Sequence, residues 1–96
     1  TIVGYGATAK FTNVMNMCGL NNNHIDYVLD TTPLKNNKWI PNTNVQIKAY
    51  TPNKVKDIDY FYLGAWNYRK EVLNKESEYI KNGGKFVTHI PKVEII

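Results

Sequence analysis

The first ten residues place small side chains at a spacing that could bring a backbone turn close to a phosphate. Two β-branched residues run into the pattern Gly4-x-Gly6-x-x-Ala9, and an apolar helical stripe follows it. In a strand–turn–helix unit, the first glycine makes the turn and the second allows close approach of a ligand. The small third residue lets the helix pack on the strand. The segment predicts the first unit of a dinucleotide-binding fold.

Polar groups in and after this turn could bind an anionic ligand. The backbone N–H groups of Ala7 and Thr8 lie at the predicted start of the helix, where an anion is favoured, and Lys10 adds positive charge. Asp30 closes the next apolar run, about 20 residues past the turn, where such folds place a ribose-binding carboxylate. Capping of the following turn is an equally good interpretation of Asp30. Tyr5 either points into the crevice or covers the top of the sheet.

Two later segments complete the candidate site. Residues 31–44 lack periodicity and carry Lys35 and Trp39 between two prolines, which predicts a functional loop at the crevice edge. Trp66 and Asn67 follow the most apolar run; Trp66 either stacks on a base or packs at the core edge, and Asn67 could cap the next helix. The predicted ligand-contacting residues are Gly4, Tyr5, Gly6, Ala7, Thr8, Lys10, Asp30, Lys35, Trp39, Trp66 and Asn67.

The elements that position these residues alternate between helix and strand. Phe11, Val14, Met15 and Cys18 share one helical face that should be buried, Met17 is also expected in the core, and Gly19 should end the helix. Cys18 is then a buried thiol of a reducing compartment. His24 is expected at the surface. Further strands are predicted at 24–30, 44–50, 59–66 and 85–90, with an edge strand at 93–96.

The strand predicted at 59–66 should be central and buried on both faces because it is the most apolar. Pro52 could open one short helical turn, and a helix with Val72, Leu73, Tyr79 and Ile80 on its apolar face should end at Gly83-Gly84. This order predicts an α/β fold: a small Rossmann-like domain with a mostly parallel sheet of about five strands and helices on both faces.

Composition limits the function classes. The chain has 96 residues, enough for one domain, and its net charge of +4 comes from scattered lysines with a single arginine. That distribution disfavours nucleic acid as a partner, and no run could span a membrane. One cysteine and two histidines cannot form a zinc site of about four ligands. Because the chain begins within a strand and without Met, we expect a piece of a longer, cytoplasmic protein.

Several separated motifs together resemble one family. The chain is similar to the C-terminal domain of the sugar-nucleotide C-methyltransferases, which move a methyl group from S-adenosylmethionine to a carbon of a nucleotide-linked deoxysugar. The resemblance covers nearly the whole chain. The matching pieces are Gly4–Lys10, Asn16–Leu20, Tyr27–Asp30, Pro33-x-Lys35, Trp39–Pro41, Ala65–Asn67 before Glu71, and Gly83–Phe86 leading to Ile90-Pro91.

The resemblance implies a three-part parent enzyme in which this chain, 1–96, is the C-terminal domain. The zinc-binding segment, the S-adenosylmethionine and the general base would belong to the other parts, so this domain should be inactive alone. Its role would be to bind the nucleotide-sugar and to close against the methyltransferase domain. Two alternatives remain: an NAD-type cofactor domain of an oxidoreductase, since Gly4-x-Gly6-x-x-Ala9 with Asp30 suits NAD, and a purely structural interaction module.

Overall fold

A strand that ends in the glycine turn occupies the middle of the sheet. The computed structural model describes residues 2–64, 68–88 and 94–96, apart from the side chains of residues 53, 54 and 94. In chain order the elements are β1 (Ile2–Tyr5), α1 (Ala9–Cys18), β2 (Val28–Asp30), a 3-10 turn (Pro33–Lys35), β3 (Trp39–Ile40), β4 (Val45–Ala49), α2 (Pro52–Val55), β5 (Tyr60–Leu63), α3 (Arg69–Lys75), α4 (Ser77–Lys81), β6 (Lys85–Thr88) and β7 (Glu94–Ile95).

The sheet confirms the predicted α/β, Rossmann-like architecture. Its strand order is β3-β4-β2-β1-β5-β6-β7. The five inner strands pair in parallel, and β3 and β7 are antiparallel at the two edges. The chain leaves β1 towards β2 on one side and returns to β5 on the other. The carboxyl ends of β1 and β5 therefore form the topological switch point, where ligands bind in sheets of this kind.

Helices cover both faces of the sheet, each over its own hydrophobic core. Phe11 and Met15 of α1 are fully buried on one face, against Val28 and neighbouring strand residues. A Cβ on Gly4 would come within 2.7 Å of Val28 and 3.1 Å of the Phe11 ring, so this glycine lets α1 lie close to β1. The second core contains side chains from β1, β5 and β6 under α2, α3 and α4: Val3, Phe61, Phe86, Val55, Val72 and Tyr79.

The last turn of α1 differs from the prediction. Phe11 and Met15 are buried as expected, and Gly19 ends the helix in the left-handed conformation with φ 66°. Cys18, however, is exposed, and Met17 is 86% exposed. Met17 lies two residues after the buried Met15, about 200° round the helix axis, so it faces away from the sheet, and Cys18 is the last residue of α1. The prediction of a buried thiol and a buried Met17 was wrong.

The other elements follow the predicted order with shifted bounds. β2 is confined to Val28–Asp30, His24 is exposed as predicted, and the helical turn after Thr51 and the final edge strand are both present. β5 lies beside the central strand and is not buried throughout, since Tyr60 is 38% exposed at its amino end. The predicted single helix is divided at Glu76 into α3 and α4. Predictions for Trp66, Asn67 and residues 89–93 fall outside the described residues.

Candidate functional site

The glycine turn joins the carboxyl ends of three adjacent strands. The N–H of Gly6, a residue with φ 89°, donates to the carbonyl of Leu29 on β2 at 2.8 Å. On the other side, the N–H of Gly64 donates to the Tyr5 carbonyl at 3.0 Å. The Thr8 hydroxyl donates to the Gly64 carbonyl at 2.9 Å and accepts the Phe11 N–H at 3.1 Å, which caps α1. The turn is therefore fixed to β2 and β5 at the switch point.

Asp30 reaches the glycine turn as well as its own following turn. Its Oδ2 accepts the Ala7 N–H at 2.8 Å, and its Oδ1 accepts the Thr32 N–H at 2.8 Å. The Lys35 Nζ lies 3.7 Å from Oδ2 and donates to the Ala7 carbonyl at 2.9 Å. Burial alone would raise the pKa of Asp30, but the two N–H donors and Lys35 outweigh it and lower the pKa. The carboxylate is a fixed anion beside the start of α1.

This arrangement changes how the turn could meet a ligand. The Ala7 N–H, which the sequence offered to a phosphate, already donates to Asp30. The capping interpretation of Asp30 holds, because its Oδ1 accepts the Thr32 N–H, and ribose binding by Asp30 stays a prediction. Lys10 is exposed in the first turn of α1, and the Lys35 side chain is 40% exposed above the turn. Lys35 therefore places positive charge beside the carboxylate, and Lys10 adds a second exposed lysine at the start of α1.

Two other predicted site residues lie away from this cluster. Tyr5 is buried in the core on the other face, among Phe61 and Phe86. Trp39 is exposed on β3 and pairs with Gln46 of β4. Three strand spacings of about 4.8 Å place it about 14 Å from the backbone of β1, so a ligand at the turn would have to extend across β2 and β4 to reach it. Trp66 and Asn67 lie outside the described residues.

A buried carboxylate on the second face was missed by the sequence prediction. The Glu76 residue is 7% exposed, and its Oε2 accepts the hydroxyls of Tyr5 and Tyr50 at 2.6 Å each. Burial first, and then Glu76, raises the pKa of Tyr5, and the same causes raise the pKa of Tyr50 to about 12. A signal was present: Val72, Glu76 and Tyr79 have i, i+4, i+7 spacing, which puts the glutamate on the apolar face.

Beside this carboxylate lies an open groove of about 1090 Å³ between α2 and α4. Tyr50, Glu76 and Tyr79 contribute to its lining, and the Lys75 Nζ lies 4.1 Å from the centroid of the Tyr50 ring. Lysines and carboxylates both surround its mouth, including Lys56, Lys85, Asp57 and Asp59. The lining therefore carries both positive and negative charge, so the groove does not favour a ligand of one sign of charge.

The part of the chain that the structure describes contains neither a metal-binding cluster nor a membrane-spanning helix. There, no group of three or more His, Cys, Asp or Glu side chains could hold a metal ion. No helix in residues 2–64, 68–88 or 94–96 is long and apolar enough to cross a membrane.

Two comparisons with known proteins match this chain by sequence. A sequence profile described as the C-methyltransferase C-terminal domain matches residues 1–91. The chain is 37% identical over 96 residues to a protein of Streptomyces niveus described as the C-methyltransferase NovU. That alignment covers 100% of this chain and 23% of the relative, so the chain spans about a quarter of the length of the curated relative it matches.

Proposed function

Because the chain belongs to the C-methyltransferase C-terminal domain family, we propose that it is the noncatalytic, substrate-binding domain of an S-adenosylmethionine-dependent C-methyltransferase. Its ligand in this proposal is a nucleotide-linked deoxysugar, bound at the carboxyl ends of β1 and β5. The domain then presents the sugar to the methyltransferase domain of the same cytoplasmic polypeptide. The methyl donor supplies an electrophilic methyl group, and the residues that hold it belong to that other domain.

The observation that carries the proposal is the ordered polar cluster of Asp30 and Lys35 on the Ala7 peptide. A carboxylate accepts hydrogen bonds from hydroxyl groups and repels phosphate, so we assign Asp30 to a hydroxyl of the ribose or sugar. Lys35 and Lys10 carry the positive charge for the diphosphate. Substrate binding at this switch point needs no acid or base from this chain, because its task is to fix the position of the sugar.

An NAD-binding role is the second candidate, and one observation favours it. Asp30 ends β2 beside a glycine turn, as a ribose-binding carboxylate does in a dinucleotide-binding fold. Family membership supports the first candidate more strongly. A titration with NAD, with a nucleoside diphosphate sugar and with S-adenosylmethionine separates the two, because we expect amide shifts at residues 4–10 with the nucleotide-sugar alone.

The test of the proposed function is equilibrium binding of a nucleoside diphosphate sugar to the full-length protein. We expect Lys10→Gln with Lys35→Gln to weaken binding about 10-fold or more, since each charge-assisted contact to a phosphate contributes about 1 kcal/mol or more. Lys85→Gln is the matched control, because Lys85 opens β6 at the opposite end of the parallel strands. Equal affinity of the double variant, the control and the unmodified protein would overturn the proposal.

A further inference from the structure

One buried carboxylate joins two strand ends close to the candidate site. Glu76 is 7% exposed, and its Oε2 accepts the hydroxyls of Tyr5 and Tyr50 at 2.6 Å each. Tyr5 ends β1 and Tyr50 directly follows β4, so both hydroxyls come from the carboxyl ends of parallel strands. The two tyrosines pack in the core on the sheet face opposite to α1. The carboxylate therefore holds both strand ends from that face.

The two tyrosines belong to the candidate site through their backbones. Tyr5 immediately precedes Gly6, and its carbonyl accepts the Gly64 N–H at 3.0 Å. The Tyr50 N–H donates to the Asp30 carbonyl at 3.0 Å. One hydroxyl thus holds the residue that leads into the glycine turn, and the other holds the residue whose backbone is bonded to Asp30.

The strand order makes these two attachments act on Asp30 from both sides. β2, which carries Asp30 at its carboxyl end, lies between β1 and β4. Two strand spacings of about 4.8 Å separate β1 from β4. The ring centroids of Tyr5 and Tyr50 are only 5.9 Å apart, so the two side chains converge under β2. A carboxylate that receives both hydroxyls therefore fixes the strands on either side of Asp30.

The bond between the Ala7 N–H and Asp30 depends on how these strands lie. It is 2.8 Å long and joins the glycine turn, which follows β1, to the end of β2. A hydrogen bond weakens steeply when its donor and acceptor are misaligned. A shift of β1 or β4 against β2 would therefore alter the polar cluster that we assign to ligand binding.

Stability alone is a poor explanation for a glutamate at this position. Burying a carboxylate costs desolvation free energy, and a well-packed apolar side chain in place of a buried charge is often neutral or stabilising. A carboxylate differs from an apolar side chain because it directs two donors to one point through short, oriented bonds. Control of the geometry of two strand ends needs such bonds, whereas cohesion of the core does not.

We propose that Glu76 is a positioning residue for ligand binding, which sets the geometry of the glycine turn and Asp30 through Tyr5 and Tyr50. The inference rests on the proposed function for the ligand, a nucleotide-linked sugar, and adds to it a residue on the opposite face of the sheet. Glu76 acts through the two tyrosines and makes no contact with the ligand. Its loss should therefore weaken binding by misaligning the residues that do make contact.

The test has two readouts in the full-length protein: equilibrium binding of a nucleoside diphosphate sugar, and the NMR signal of the Ala7 amide without ligand. Glu76→Met removes the acceptor at similar volume, and we expect about 10-fold weaker binding and a displaced Ala7 signal. Glu76→Gln keeps an amide oxygen for the two hydroxyls and should hold the affinity within about 3-fold of the unmodified protein. If Glu76→Met does not fold, the double variant Tyr5→Phe with Tyr50→Phe removes the same two bonds and takes its place.

Tyr79→Phe is the matched control. It also removes a buried tyrosine hydroxyl from this core, but that hydroxyl donates to the carbonyls of Ile58 and Asp59 at the amino end of β5. A purely structural role of Glu76 predicts that Glu76→Met and Tyr79→Phe bind alike under conditions in which both are folded. We expect Tyr79→Phe to leave the affinity within about 2-fold and the Ala7 signal in place.

The two readouts separate this inference from the proposed function. Weaker binding and a displaced Ala7 signal in Glu76→Met, with neither in Tyr79→Phe, would support the positioning role. An unmoved Ala7 signal, or an affinity equal to that of Tyr79→Phe, would overturn it. Unchanged affinity of the Lys10 and Lys35 double variant would instead overturn the proposed function, whereas a displaced Ala7 signal, which needs no ligand, would still support control of the turn by Glu76.

Discussion

The hydroxyl of Tyr5 donates a 2.6 Å hydrogen bond to the carboxylate of Glu76, across 71 positions in the chain. Tyr5 is the last residue of β1, immediately before the glycine turn, and Glu76 lies at the junction of α3 and α4. Tyr50, which follows β4, donates to the same oxygen at 2.6 Å. The strand that carries the glycine turn is thus tied to the helices of the second face by a charge-assisted bond. Such bonds are among the strongest in a protein interior.

Tyr5→Phe should destabilise the domain by about 1–2 kcal/mol, because it removes one of two donors from a buried carboxylate. The matched variant is Tyr50→Phe. Tyr50 is less buried, so water can partly replace its hydroxyl and we expect a loss of about 1 kcal/mol or less. The measurement is the free energy of unfolding from urea titrations at pH 7. Equal losses for the two variants, or none for Tyr5→Phe, would contradict the ranking.

Stability should fall steeply above about pH 10, the ordinary pKa of tyrosine. The pKa of Tyr50 is raised to about 12 in the folded state and that of Tyr5 is raised as well, so the folded protein keeps protons that the unfolded chain releases. The stability these groups contribute is therefore complete below about pH 10 and is lost as pH rises towards about 12. Urea titrations between pH 9 and pH 11 report the number of protons released on unfolding, with about one proton per buried tyrosine.

Two variants isolate this effect. Tyr50→Phe should release about one proton fewer in that pH range than the unmodified chain. Tyr68→Phe removes a hydroxyl that is exposed at the start of α3 and is the matched control for the loss of a tyrosine hydroxyl. A slope that is the same for Tyr50→Phe and the unmodified chain would show that other groups cause the alkaline loss.

The fold could be predicted from local patterns because the spacing of apolar residues shows which side of a strand or helix is buried. Alternation of apolar runs with a helical stripe placed five parallel strands, and Gly19 marked a helix end that the structure confirms. Helix periodicity does not report how far the sheet extends under the helix. Cys18 shares the helical face of Phe11 but is exposed at the last residue of α1, and Met17, two residues after Met15, faces the opposite side of the helix.

The polar partners of the site could not be predicted from the sequence. The glycine turn and Asp30 were recognisable from spacing, but the bond between the Ala7 N–H and Asp30 depends on how β2 lies beside β1. Glu76 was missed since a glutamate in an amphipathic helix is usually solvated. Two tyrosines from distant strands make its burial possible, and no local pattern relates them.

Gly64→Ala should destabilise the domain by about 3 kcal/mol, because a Cβ at Gly64 would collide with the Gly6 carbonyl and lie 2.8 Å from the Phe11 ring. The obstructing atom is backbone, so the glycine turn itself would have to move. Gly19→Ala is the control: it has a left-handed φ of 66° but open space around it, and we expect a loss of about 1 kcal/mol. A thermal or urea midpoint that ranks Gly19→Ala as the more damaging change would refute the close approach of the two strand ends.

Asp30→Asn should destabilise the domain at neutral pH and leave it nearly unaffected in acid. The pKa of Asp30 is lowered in the folded state, so the carboxylate contributes stability above its unfolded pKa of about 3.9 and loses it as pH falls through the folded value. We expect the free energy of unfolding to fall by about 1–2 kcal/mol at pH 7. Asparagine lacks the negative charge that pairs with Lys35 and strengthens the hydrogen bond from the Ala7 N–H.

The difference between Asp30→Asn and the unmodified chain should begin to shrink below about pH 4, where the unfolded carboxylate takes up a proton, and should disappear once the folded carboxylate is protonated as well. Asp26→Asn is the matched control, because Asp26 is exposed in the segment that leads into β2 and should show a small effect at both pH values. Urea titrations at pH 7 and pH 3 give the free energies, and the Ala7 amide proton gives a local readout by NMR. An equal loss at both pH values would mean that Asp30 acts through its shape, and the charge at the glycine turn would then have no part in holding the turn closed.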